Sequence, residues 1–306
     1  MFYAPNKLEK GDKVALIAPS GSIIDSSRID FAMTYFRNLG LQPVEGFNIR
    51  NINGHVAGTE ENRAKELNQA FADESIKGIF CIRGGNGAAK ILDRIDYDLI
   101  KRNPKCFYGY SDISVIHAAL NQKVGLITYH TPMAAEFNFS QADPYTLAQF
   151  ETYIFNPYKV GIFELPKDKH LEFLVPGKAK GLLCGGNLAA LASTMGTPYE
   201  IDTRGKIFFI EEVGESPIKI DRRINAFRLA GKLSQCAGII FGDFTNCTTD
   251  IVHSLSLETV IEQLELSVPT IRNIPCGHDI PTASLPLGVE VEIDSDENNI
   301  KIIGLP

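Results

Sequence analysis

The chain has 306 residues, 44% of them apolar and 22% charged, with a formal net charge of -7 and a pI near 5.5. This is the composition of a globular protein with a sizeable core, and its acidic balance weighs against a nucleic-acid surface, which needs a basic stripe. Peptides or other small molecules remain as partners. No uncharged apolar run reaches transmembrane length. The opening "MFYAPNKLEKGDKVALIAP" lacks the basic region, long apolar stretch and small-residue cleavage site of a signal peptide, so a cytoplasmic protein without membrane insertion is expected.

In chain order, "KVALIAP" predicts a buried strand, and the segment from Asp25 to Leu39 carries Ile29, Met33 and Phe36 at helical spacing before Gly40 stops it. A strand near "LQPVEG" follows, then a helix opened by Thr59, with Glu60 and Glu61 in its first turn and Ala64, Leu67 and Phe71 on one face. Next come the strand "GIFCIRGG", a helix from Ala88 to Ile95, the strand "CFYGYS", a helix after Ser111 and the strand "GLITYH". Strand alternating with helix implies a doubly wound, mostly parallel sheet with helices on both faces.

From Ala134 to about Lys178 the rhythm breaks, with Pro144, Pro157, Pro166 and Pro176, and the domain crossing is expected there. The expected division is an N-terminal α/β domain over residues 1–160 and a C-terminal mixed, β-rich α/β domain over residues 161–306. In the second half "KGLLCGG", "KIFFIEEV", "AGIIFGDF", "GVEVEI" and "IKIIG" predict strands. Asn187–Met195, Ile220–Lys232 and Leu257–Leu266 predict helices. The six cysteines contain no Cys-x-x-Cys pair and mostly lie in apolar runs, so reduced core residues are expected rather than metal ligands or disulfides.

Apolar strands end in small or polar residues at "APSGS", "RGGNGA", "GYSD" and "CGGN", and in an open parallel sheet sites form beyond such carboxyl ends. "GGNGA" lacks both the GxGxxG spacing and the Lys-Ser/Thr ending of a P-loop, so no nucleotide cofactor is expected. No clustered ligand set has metal spacing either. At "GYSD", Ser111 and Asp112 read either as an ordinary helix cap or as a nucleophile on a tight strand-to-helix turn. A serine nucleophile needs a base and a carboxylate that orients it. His117 lies inside the following helix and reads as a core or surface residue, whereas His278 follows a Pro-Cys-Gly turn that projects it from a loop. Glu211, Glu212 and Glu215 end an apolar strand; the first two point to opposite faces, and all three also read as solvated strand-end charges.

"IRGGNGA", "PKCFYGYSDIS", "HTPM", "GLLCGGNLAAL", "MGTP", "FIEEVGESPIKIDRRI" and "CGHDIPTASLPLG" together resemble, in order, the LD-carboxypeptidase family of serine peptidases. The resemblance begins at "GDKVALIAPSGSI", includes "AGTEENRAKELNQAF" and covers nearly the whole chain. It implies a Ser-Glu-His triad of Ser111, Glu211 and His278, with backbone N–H groups of Gly85 and Asp112 as the oxyanion hole. It also implies release of a terminal D-amino acid, commonly D-Ala, from murein tetrapeptides during recycling, by a homodimer with no metal or cofactor. The free carboxylate of such a substrate calls for an arginine, and Arg83 and Arg222 are the candidates, each also readable as a structural ion-pair residue.

Three positions depart from the family pattern: Asn86, a further substrate-binding candidate, stands where Tyr is common, "HTP" replaces "HGP", and Ile218 replaces a common Tyr. Two other functions compete. One is the related microcin-immunity activity on peptidyl nucleotides, and the other is a non-catalytic module that binds peptides or nucleotides.

Overall fold

Lys13–Ile17 is buried from its second residue onward, which suits a strand covered on both faces at the centre of a parallel sheet. The computed structural model describes residues 2–135 and 143–305, so 136–142, within the expected crossing region, lies outside the described residues. The first half runs β1 (Lys13–Ile17), α1 (Ser27–Asn38), β2 (Gln42–Glu45), α2 (Glu60–Ala72), β3 (Ile76–Cys81), α3 (Tyr97–Arg102), β4 (Cys106–Gly109), α4 (Ser114–Ala119) and β5 (Thr128–His130). After α5 (Pro144–Phe155) come β6 (Gly161–Ile162), β7 (Glu172–Val175), β8 (Lys178–Asn187), α6 (Leu188–Ala192), β9 (Ile207–Val213), α7 (Pro217–Leu229) and β10 (Gly238–Thr245). The chain closes with α8 (Leu257–Glu262), β11 (Thr270–Arg272), β12 (Leu285–Leu287), β13 (Glu290–Asp294) and β14 (Asn299–Gly304).

The first sheet has the order β12-β5-β4-β3-β1-β2, parallel except for β12. Alternation along its strands sends side chains to two separate layers. Phe80 and Tyr108 pack with Ile29, Met33 and Phe36 of α1, whereas Ile79 and Phe107 pack with Ala64, Leu67 and Phe71 of α2. Helices therefore cover both faces, as the doubly wound reading requires. Thr59 caps α2 by accepting from the Asn62 N–H at 3.2 Å.

The second sheet has the order β6-β14-β13-β8-β9-β10-β11-β7. Its centre, β8 to β11, is parallel, and β13, β14, β6 and β7 flank it antiparallel, which makes it a mixed sheet. Two features differ from expectation. The segment Ala88–Arg94 is a 3₁₀ helix, entered at Gly87, rather than a regular helix. The strand β12 belongs to the first sheet, pairing antiparallel with β5 through Leu285 and His130, because its apolar residues complete that sheet's open edge. One apolar core consequently runs from Phe36 and Phe80 through Tyr129 to Phe209 and Ile240, across both sheets.

Candidate active site

The strand β4 is buried throughout and delivers the chain to Tyr110 and Ser111 at its carboxyl end. Ser111 has φ of 62°, a left-handed conformation that costs a non-glycine residue about 1–2 kcal/mol. The strain is maintained by the packing around it: a Cβ on Gly84 would lie 2.7 Å from the Ser111 Cβ and 2.9 Å from its Oγ. Only a glycine lets the "RGGNG" loop lie against the serine. The helix-cap alternative fails, since neither turn following Tyr110 has a side-chain cap bond. The Asp112 carboxylate turns instead to accept from Ser20 Oγ and from the N–H groups of Gly87 and Ala88, the latter two at 2.8 Å. It thereby ties the first and third strand-end loops to the serine turn.

Glu211 is completely buried on β9, and its Oε2 lies 2.9 Å from Nδ1 of His278. The histidine is carried by the loop between β11 and β12. Its predecessor must be small: a Cβ on Gly277 would come within 2.9 Å of the Asp243 Cβ and 3.4 Å of Glu211 Oε2. The ring of Tyr110 packs on the His278 imidazole with centroids 4.6 Å apart, which brings the base against the residue preceding Ser111. The other histidines near this point are core residues. Burial pushes His117 down to about 4, against the hydrogen bond at 2.9 Å between Nε2 and Gly109 O, and pushes His130 well below its ordinary value.

Glu212 leaves β9 on the opposite face, yet it is 1% exposed rather than solvated. It accepts from Asn187 Nδ2 and from the N–H groups of Ala189 and Val213, each at 2.9 Å, and burial raises its pKa. Glu215, also readable as a solvated strand-end charge, is half-buried and accepts from Arg223 Nη2 at 2.8 Å.

A cavity of about 390 Å³ opens over Ser111, lined by Gly85, Asn86 and Asp112 on one side and by Asn187, Glu212 and Arg223 on another. Of the two arginine candidates, Arg83 is half-buried and donates through Nη1 to Ser22 O, bracing the neighbouring loop. Arg222 is exposed on α7 and does not line the cavity. One residue further, about 100° around the helix, Arg223 does. Asn187 and Arg223 join the site without a motif of their own; the polar ending of "CGGN" and the second arginine of "IDRRI" are the only marks they leave in the sequence. All six cysteines are buried and unpaired.

The chain matches known proteins along nearly its whole length. Residues 14–131 match the LD-carboxypeptidase N-terminal domain and residues 180–293 the LD-carboxypeptidase C-terminal domain. The chain is 40% identical over 304 residues to a probable murein peptide carboxypeptidase of Bacillus subtilis, covering 98% of this chain and 94% of that one. The solved muramoyltetrapeptide carboxypeptidase from Oxalobacter formigenes superposes with a TM-score of 0.83 at 26% identity, covering 96% of this chain and 99% of that one. The microcin C7 self-immunity protein MccF in complex with aspartyl sulfamoyl adenosine superposes with a TM-score of 0.89 at 25% identity, covering 99% and 98%. With both domain matches in sequence order and the relatives covered nearly end to end, the chain belongs to the LD-carboxypeptidase family of serine-type hydrolases.

Proposed function

We propose that this enzyme releases the terminal D-amino acid, D-Ala, from the L,D-peptide bond of murein tetrapeptides through an acyl-enzyme on Ser111. The observation that carries the proposal is the Glu211–His278 pair, 2.9 Å apart, walled by the residue next to Ser111. With Nδ1–H donating to Glu211, the imidazole has the tautomer in which Nε2 accepts a proton. Ser111 Oγ attacks the carbonyl carbon and gives its proton to His278, and Glu211 stabilises the imidazolium. The oxyanion of the tetrahedral intermediate takes hydrogen bonds from the Gly85 and Asp112 N–H groups. Collapse breaks the C–N bond, His278 protonates the departing amine, and a water deprotonated by His278 then hydrolyses the acyl-serine.

None of these steps calls for a metal or cofactor. The wider reading, drawn from the family resemblance, is a cytoplasmic homodimer that recycles cell-wall peptides, with its two domains divided near residue 160. Cell fractionation and sedimentation test the location and the assembly.

The test of activity is mass spectrometry of purified protein incubated with a murein tetrapeptide. D-Ala should appear with wild type and not with Ser111→Ala. The likeness to MccF favours a second reading, hydrolysis of a peptidyl nucleotide. Turnover of aspartyl sulfamoyl adenosine without D-Ala release would replace the first reading with it.

A further inference from the structure

Arg223 is the one cationic side chain, among the described residues, that lines the cavity over Ser111. Its Nη2 donates to Glu215 Oε1 at 2.8 Å. Its Nη1 has no hydrogen-bond acceptor among the described residues and stays 3.8 Å from Glu212 Oε2, beyond hydrogen-bond reach. Glu212 is occupied by its three donors and is a poor candidate to close that gap. Glu215 in turn is held by Lys219, with Nζ 2.9 Å from its second oxygen, so it keeps a cation when Arg223 engages something else. A guanidinium carries five donors in a planar fork that matches a carboxylate. This one is pinned at one edge and underused elsewhere, in a half-buried setting where ionic hydrogen bonds gain strength.

An exopeptidase must read the end of a chain, and the feature that distinguishes the end is its free α-carboxylate. Resting on the carboxypeptidase reading above, we propose that Arg223, braced by Glu215, receives the substrate's terminal carboxylate and so confines cleavage to the last peptide bond. Glu212, Glu215, Lys219 and Arg223 balance two negative charges against two positive ones, and the Asp112 carboxylate beside them is already engaged by three donors of its own.

The experiment compares a murein tetrapeptide ending in free D-Ala with the same peptide ending in D-Ala amide. Wild type should prefer the acid. In Arg223→Gln with an unchanged melting curve, KM for the acid should rise about 30-fold or more while the amide is little affected, so the preference collapses. Arg223→Lys, which keeps the charge but not the fork, should retain part of it. Full acid preference in folded Arg223→Gln overturns the inference and leaves the carboxypeptidase reading intact. If Arg223→Gln does not fold, Arg223→Lys decides: a weakened preference supports the inference and an unchanged one overturns it. No D-Ala release by wild type overturns the underlying reading and this inference together.

Discussion

Tyr110 and His278 pack ring against ring, 4.6 Å between centroids and inclined by 33°, although 168 positions separate them in the chain. Because Tyr110 is bonded to Ser111, the same residue that aims the serine turn also walls the imidazole. Tyr110→Ala should therefore loosen the base and lower kcat by about 10- to 100-fold, since small misplacements of reacting groups are costly. Tyr110→Phe, which keeps the ring, should retain most activity. Steady-state kinetics on the tetrapeptide checks both.

Glu211 and Glu212 are adjacent, equally buried and differently employed, so the same substitution should have different readouts. Glu211→Gln keeps shape but removes the charge facing His278, and should lower kcat by orders of magnitude with a modest change in melting temperature. Glu212→Gln replaces an acceptor of three hydrogen bonds by a group with one acceptor oxygen. It should destabilise by about 1–3 kcal/mol, visible as an earlier denaturant midpoint, with a smaller loss of kcat.

The left-handed conformation at Ser111 separates chemistry from stability. Ser111→Ala and Ser111→Gly should both be inactive, but glycine tolerates a φ of 62° without a Cβ penalty. The glycine variant should be the more stable by about 1 kcal/mol in urea unfolding. Gly84→Ala is the converse test, because its Cβ would arrive 2.7 Å from that of Ser111 and displace the turn. A drop in kcat of about 100-fold is expected.

Asp243 gives a pH signature. Burial first, then the charges of Asp279 and Glu211, push its carboxyl up to about 7, against the opposing pull of Lys169 and His278. A folded-state value above the ordinary 3.8 means that the folded protein holds this proton more tightly. The resulting stability is present at acid pH and is lost as pH rises through the window between the two values. Asp243→Asn removes that titration. Its melting temperature relative to wild type should climb from pH 4 to pH 7, read by calorimetry across the range.

Much of this architecture was legible because local and global signals agree. The apolar run of β4 ending at "GYSD", and the alternation that sends Glu211 and Glu212 apart, are properties of short windows. The misses have a common origin in tertiary context. Arg222 and Arg223 are indistinguishable in sequence, and only the rotation of α7 against the cavity separates them. Glu212 reads as a strand-end charge in sequence because two of its three donors, from the last residue of β8 and from α6, lie more than 20 positions away. Gly87 let Ala88–Arg94 tighten into a 3₁₀ helix under the pull of Asp112, a partner 24 residues away. The return of β12 to the first sheet left no periodic mark at all.

That return has a mechanical meaning. The strand before His278, β11, is anchored in the second sheet, and the strand after it, β12, is anchored in the first, so the imidazole rides on a tether strung between two bodies. Its distance to the serine is then a gauge of how those bodies are seated. A slight tilt of one against the other would slacken or tighten the tether and silence the enzyme while every strand remained paired. On heating, loss of turnover should come before loss of secondary structure.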